Sequence, residues 1–300
     1  MKTIRAAGFA AALPFAAFAQ GVEVQTATGP SSAPATPETV AVFDLAAIDT
    51  ISALGVTIDG VPGITPPAYL SEAMSDAEIV GTLFEPDFEA LAVMAPDLIV
   101  AGGRSQTKVD ALSRIAPTLD MTIDGTDLLQ EAKLRAEAYG AIFGQEEAAA
   151  ELISALETDV ADASNAVEGK GDALILLANG GKISAYGAGS RFGWIHAALG
   201  LEEARDGLEA ETHGEAVSFE FVAETDPDWI LVIDRGAAIG QEGEAARATL
   251  DNPLVQGTKA GQSGQIVYLE SAPLYLAGGG VQSMRLTLDE ITEAFSAAGS

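Results

Sequence analysis

Three arginines of this cation-poor chain stand in runs of small residues: Gly102-Gly103-Arg104, Gly187-Ala188-Gly189-Ser190-Arg191 and Asp234-Arg235-Gly236. Small residues let the backbone come close to a ligand. Arginine keeps its charge and offers a planar fork to oxyanions. The chain carries 15 Lys and Arg against 44 Asp and Glu, a net charge of −29, so the placement of its few cations is informative. One such arginine alone serves equally well as a solvated cation or as the partner of a nearby acid. Three facing one cleft make a cationic pocket, which predicts an anionic ligand.

Two histidines and no cysteine narrow the chemistry further. His213 sits in Thr212-His213-Gly214, read as a loop, while His196 lies inside a helical stretch and reads as structural. Tyr275 precedes Leu276-Ala277-Gly278-Gly279-Gly280, another small-residue loop. Imidazole and phenolate are both donors to ferric iron. One of each does not hold a bare metal well, but the two can complete the shell of an iron already chelated by a ligand with too few donor groups. The residues alone leave open whether His213 is only a loop residue.

Most catalytic schemes lack parts. There is no thiol and no Walker or G-x-S-x-G motif, and Gly187-x-Gly189 followed by Gly193 misses the final spacing of a dinucleotide fingerprint. The acidity repels nucleic acid and anionic lipid. The expectation is a binding protein and not an enzyme. A nucleotide-dependent α/β enzyme is the rival from another class.

The elements that must position these residues alternate between strand and helix. Thr39–Phe43, Val56–Val61, Asp97–Ala101 and Thr118–Ile123 read as strands, with helical stretches Leu45–Leu54, Phe88–Met94 and Ser105–Ile115 between them. This alternation predicts a parallel α/β sheet. Glu146 to Val167 is the strongest helix: Leu152, Ile153, Leu156, Val160 and Val167 share one face. The pattern then restarts with Ala173–Ala178 and Lys182–Tyr186 as strands, a helix Phe192–Leu199, the strands Trp229–Ile233 and Ile266–Leu269, and a closing helix Val281–Ala298.

The restart is an internal repeat. Phe88-Glu89, Ala92, Pro96-Asp97 and Ile99 recur as Phe219-Glu220, Ala223, Pro227-Asp228 and Ile230, always 131 positions later, and Arg104 maps onto Arg235 at the same offset. Two similar lobes joined by a long helix predict a bilobed protein with a cleft. The expected organisation is a signal peptide at 1–19, a flexible leader at 20–38, an N-terminal lobe at 39–145, a linking helix at 146–168 and a C-terminal lobe at 169–300. The signal peptide is read from Lys2 and Arg5, the apolar run Ala6–Ala19 and the small-x-small site Ala17-Phe18-Ala19. Its removal takes two cations with it, from −29 to −31. With no lipid-attachment cysteine, the expected location is the periplasm.

Several of these stretches together resemble the ferric-siderophore class of periplasmic binding proteins. They are GTLFEPDFEALAVMAPDLIVAGGR (Gly81 to Arg104), SAYGAGSRFGWIH (Ser184 to His196), THG (Thr212 to Gly214), DPDWILVIDRG (Asp226 to Gly236), TLDNPLV (Thr249 to Val255) and YLAGGG (Tyr275 to Gly280). The similarity runs from about Thr39 to the C-terminus and is nearest to the catecholate-type branch, which includes binders of petrobactin, anguibactin and tetradentate enterobactin fragments. The resemblance implies two Rossmann-like lobes joined by one long helix, with limited hinge closure. It implies an arginine triad for the siderophore on Arg104, Arg191 and Arg235, and an iron-reaching His–Tyr pair on His213 and Tyr275. It also implies no intrinsic cofactor: Fe(III) arrives as part of the ligand. The expected partner is the permease dimer of an ABC importer, met by a monomer through Glu89 and Glu220, the equivalent acids of the repeat. The same fold also serves haem and cobalamin binders.

Overall fold

The computed structural model describes residues 21–125, 127–208, 214–241 and 245–298. The signal peptide and His213 therefore lie outside the described residues. The stretch expected to be a flexible leader is instead largely a hairpin. Val22–Thr26 (β1) pairs antiparallel with Gly29–Ala33 (β2), and Gly29 turns the chain at φ 105°. The physical reason is the alternation Val-Glu-Val-Gln-Thr, which puts Val24 and Ala33 into a core. The hairpin is tied down by Ala27 N–H to the Asp120 carbonyl at 2.9 Å and by Arg135 Nη1 to the Gln25 carbonyl at 3.1 Å.

The first lobe is a five-stranded parallel sheet built from β3 (Val40–Val42), β4 (Gly60–Val61), β5 (Glu78–Ile79), β6 (Leu98–Ala101) and β7 (Thr118–Asp120). Its order, β5-β4-β3-β6-β7, is the doubly wound arrangement, with the reversal between β3 and β6. Both faces are covered, so the central strands are apolar throughout. Val40, Val42, Leu98 and Val100 pack with α1 (Leu45–Ala53) on one side. Ala41, Phe43, Ile99 and Ala101 pack with Leu91 of α2 (Phe88–Met94) on the other.

Helix α3 (Leu128–Phe143) closes this lobe, and α4 (Glu146–Val167) leaves it. With 22 residues, α4 is about 33 Å long at 1.5 Å per residue. Its Ala149 sits in the first lobe's core, and its Leu156, Ala163 and Val167 sit in the second's.

The second lobe departs from the all-parallel expectation. β8 (Asp172–Asn179) turns through Gly180-Gly181 into β9 (Lys182–Tyr186), which runs antiparallel to it. After α5 (Trp194–Leu199) come the short β10 (Glu202–Glu203) and β11 (Glu215–Val217), then α6 (Phe219–Thr225), β12 (Trp229–Asp234) and β13 (Ile266–Tyr268). The order is β11-β9-β8-β12-β13, with β10 beside β8, and β8, β12 and β13 are parallel. A glycine pair between two apolar runs makes a tight hairpin, which forces the mixed sheet.

Helix α7 (Ser271–Leu276) leads into α8 (Val281–Ala297), which spans both lobes. Asp49 of α1, fully buried, caps α8: Oδ1 accepts from Gln282 N–H and Oδ2 from Ser283 N–H, each at 2.8 Å. Tyr69 Oη donates to the same carboxylate at 2.6 Å. At its far end Phe295 stacks on Trp229 of β12, with ring centroids 3.8 Å apart.

Candidate functional site

The switch point of the first sheet places two loops side by side. After β3, Asp44 caps α1, its Oδ1 accepting from Ala46 N–H at 2.8 Å and Ala47 N–H at 3.1 Å. After β6, Gly102 and Gly103 bring Arg104 to the same place, and Gly103 turns at φ 48°. Any side chain at Gly102 or Gly103 would crowd Asp44 Oδ2. Burial raises the Asp44 carboxyl above the usual carboxylate range, against the pull of its capping bonds and of Arg104.

The loop after β7 supplies a further wall with Ile123, Asp124 and Gly125. It is fixed from behind by α3. Glu131 accepts from Asp124 N–H at 3.1 Å and Gly125 N–H at 2.9 Å. Arg135, buried, donates to the carbonyls of Met121 and Thr122 at 3.2 and 2.9 Å.

The second lobe contributes the facing wall. Arg191 does not come off a parallel strand, because β9 runs the other way. The loop folds back through Ser190, whose Oγ donates to the Gly187 carbonyl at 2.6 Å. This lays the Arg191 guanidinium over the Tyr275 ring, 4.6 Å from its centroid, and near the Phe192 ring at 5.1 Å. Arg191 also donates to the Tyr275 carbonyl. Burial and the nearby Arg104 both press its proton affinity down, yet an arginine remains charged. Arg235, just past β12, donates from Nε to Tyr275 Oη at 3.2 Å.

These groups enclose a cleft of about 610 Å³ between the lobes. Arg104, Arg191 and Tyr275 line it, with Phe192 and Trp194 as apolar wall. Arg235 is not in the lining but stands one hydrogen bond behind it, on Tyr275. Asp44 and Asp124 line the same cavity beside Arg104 and Arg191. Neither was singled out from the sequence. Asp44 carried a faint signal, an aspartate directly between an apolar strand and a helix, which marks an N-cap.

The partner proposed for Tyr275 lies at His213, outside the described residues. Its neighbour Gly214 packs against the buried Tyr186 ring, and Tyr186 in turn meets Phe192 at 4.7 Å. His196 is buried with Nδ1 3.0 Å from the Leu201 carbonyl, as a structural histidine would be. Among the described residues no group of three or more His, Asp or Glu side chains converges as a metal site.

Glu89 and Glu220 lie away from the cleft, exposed in the first turns of α2 and α6. Their helices are capped alike, by Asp87 and Ser218, and end alike in left-handed residues before a proline, Ala95 at φ 50° and Asp226 at φ 48°. The repeat thus extends to backbone detail, since these residues too are 131 positions apart.

Residues 40–273 match the periplasmic binding protein family. Petrobactin-binding protein YclQ of Bacillus subtilis is 37% identical over 264 residues, covering 87% of this chain and 83% of YclQ. The YclQ crystal structure superposes with a TM-score of 0.87, at 34% identity, over 92% of this chain and 99% of that one. The iron uptake ABC transporter substrate-binding protein PiuA of Streptococcus pneumoniae gives 0.86, at 35% identity, over 91% and 98%. The periplasmic catecholate-siderophore binding protein VctP of Vibrio cholerae gives 0.84, at 28% identity, over 91% and 100%.

Proposed function

Because this chain belongs to the periplasmic binding protein family, we propose that it captures a ferric siderophore of catecholate type and delivers it to an ABC importer. The observation that carries this reading is the Tyr275 phenol held between two guanidiniums, Arg191 over its ring and Arg235 on its oxygen, at the wall of a cleft between two lobes. A ferric catecholate chelate is anionic and presents oxygens. Arginine donors to those oxygens make charge-assisted hydrogen bonds, strengthened where the cleft excludes water. Arg104 and Arg191 contact the chelate directly, and Arg235 orients Tyr275.

With a tetradentate siderophore the iron keeps open positions, and Tyr275 together with His213 fills them. The iron is cargo, and the protein needs no cofactor of its own and catalyses nothing. It works in the periplasm as a monomer after removal of residues 1–19. Glu89 and Glu220 meet the two subunits of the permease, one from each lobe. Their exposure and equivalent positions in the repeat support this pairing.

Trp194 in the cleft wall provides the test. Its fluorescence is titrated with ferric bis- and tris-catecholates, a neutral ferric hydroxamate, haem and cobalamin. Tight binding confined to the catecholates is the expected result. Equal affinity for the hydroxamate, or preference for haem or cobalamin, overturns the assignment.

A further inference from the structure

The two walls of the cleft differ in charge. The second-lobe wall carries Arg191, backed by Arg235 on Tyr275, and among the described residues no carboxylate lines it. The first-lobe wall carries Arg104 together with Asp44 and Asp124. An acid in an anion-binding cleft opposes its ligand by like-charge repulsion unless it meets a donor on that ligand.

The role of Asp44 as a helix cap does not account for its charge, since Asn and Ser cap about as well. Capping uses only Oδ1. Oδ2 accepts no hydrogen bond from a described residue and lies in the space that Gly102 and Gly103 leave by lacking side chains. Nor is Asp44 spent as the counter-ion of Arg104: they interact electrostatically, but neither closes an ion pair among the described residues.

We infer that Asp44 reads the backbone of the ligand, and that the cleft selects ferric chelates whose linker carries a protonated amine, the amine on Asp44 Oδ2 and the anionic chelate against Arg191 and Tyr275. This rests on the reading of the ligand as a ferric siderophore. Catechol oxygens lose their protons on binding iron, so the chelate itself offers Asp44 only acceptors. A donor has to come from the linker, and a cationic N–H gives the shortest and strongest bond to a carboxylate. The charge difference between the walls then orients the ligand as well as holding it.

The test uses two ferric bis-catecholate chelates of equal length, one with a secondary amine in the linker and one with a methylene in its place. Affinities are measured by Trp fluorescence for the full chain and for Asp44→Asn and Asp44→Ser, both of which keep the cap. Far-UV circular dichroism and melting confirm that each variant folds. The wild type should bind the amine chelate about tenfold or more tighter, and both variants should erase the preference, weakening the amine chelate while the methylene chelate binds as tightly as before or more tightly. Equal binding of the two chelates by the wild type, or equal weakening of both in the variants, overturns the role of Asp44 while leaving the siderophore reading standing. Failure of the wild type to bind either chelate removes that reading and this inference together.

Discussion

Arg235 donates from Nε to the phenol oxygen of Tyr275 at 3.2 Å, while Arg191 lies over the face of the same ring. If they bind the ligand, Arg235 and Tyr275 should therefore act on it as one unit. Arg235→Ala and Tyr275→Phe should each weaken binding of a tetradentate ferric chelate. The double variant should lose less than the sum, with a coupling of about 0.5–3 kcal/mol as for residues in direct contact. Additive losses in a double-mutant cycle of dissociation constants would show that the contact does not matter for the ligand.

Arg191 should not be replaceable by lysine. Its guanidinium stacks on Tyr275 and Phe192 and bonds the Tyr275 carbonyl at the same time. An ammonium keeps the charge but not the planar fork. Arg191→Lys and Arg191→Ala should both weaken chelate binding, by roughly 1.5–3 kcal/mol for a lost charged hydrogen bond. Titration calorimetry checks this, and wild-type affinity in the lysine variant would mean that charge alone suffices.

If Tyr275 reaches the iron, a tetradentate chelate should acquire a tyrosinate-to-iron charge-transfer band on binding. The band should vanish in Tyr275→Phe and change in His213→Ala. A hexadentate chelate leaves the iron no vacant position, so both substitutions should matter less there. Visible spectra identical across the three proteins with the tetradentate chelate would remove the ligand role.

The cap on α8 makes stability depend on pH. Burial pushes the Asp49 carboxyl from 3.8 up to about 7, outweighing its bonds from Tyr69, Gln282 and Ser283. Between those values the folded protein keeps a proton that the unfolded chain releases. The contribution of this group to unfolding free energy therefore falls as pH rises from about 4 to 7, by at most about 1.4 kcal/mol per pH unit. Asp49→Asn removes that contribution. Urea unfolding across this range should show a less negative slope in the variant, and an unchanged slope would place the titration elsewhere.

Glu89→Ala and Glu220→Ala, combined, should leave siderophore affinity unchanged and lower cellular iron uptake or stimulation of the transporter ATPase. Both side chains are exposed and remote from the cleft. Normal uptake by the double variant, at normal protein levels, would leave each with only the small dipole benefit of an acid in a helix's first turn.

Much of the architecture is legible in the sequence where the local pattern and the tertiary role agree. Trp229–Asp234 is apolar except at its last residue because it is a central strand covered on both faces, and Glu146–Val167 shows its single apolar stripe because one side packs along its whole length. The 131-residue offset gives the equivalence of the lobes, and the structure carries it down to the left-handed caps at Ala95 and Asp226. The hairpin at Val22–Ala33 is missed because its alternation is short and set among Ala, Thr, Ser and Pro. The mixed second sheet was written in Gly180-Gly181 between two apolar runs, but outweighed by the expectation of parallel strands. Arg104 and Arg191 announce themselves through their glycines. Asp44 does not, since only the juxtaposition of the loops after β3 and β6 puts its carboxylate in the cleft.

Helix α8 begins locked onto Asp49 in the first lobe and ends stacked on Trp229 in the second, and it packs along α4 with Arg285 bonded to Asp159. A lone helix bends like a rod, whereas two cross-tied helices behave as a beam and resist both bending and twisting. The width of the cleft between the lobes is then set by this scaffold more than by what the cleft holds.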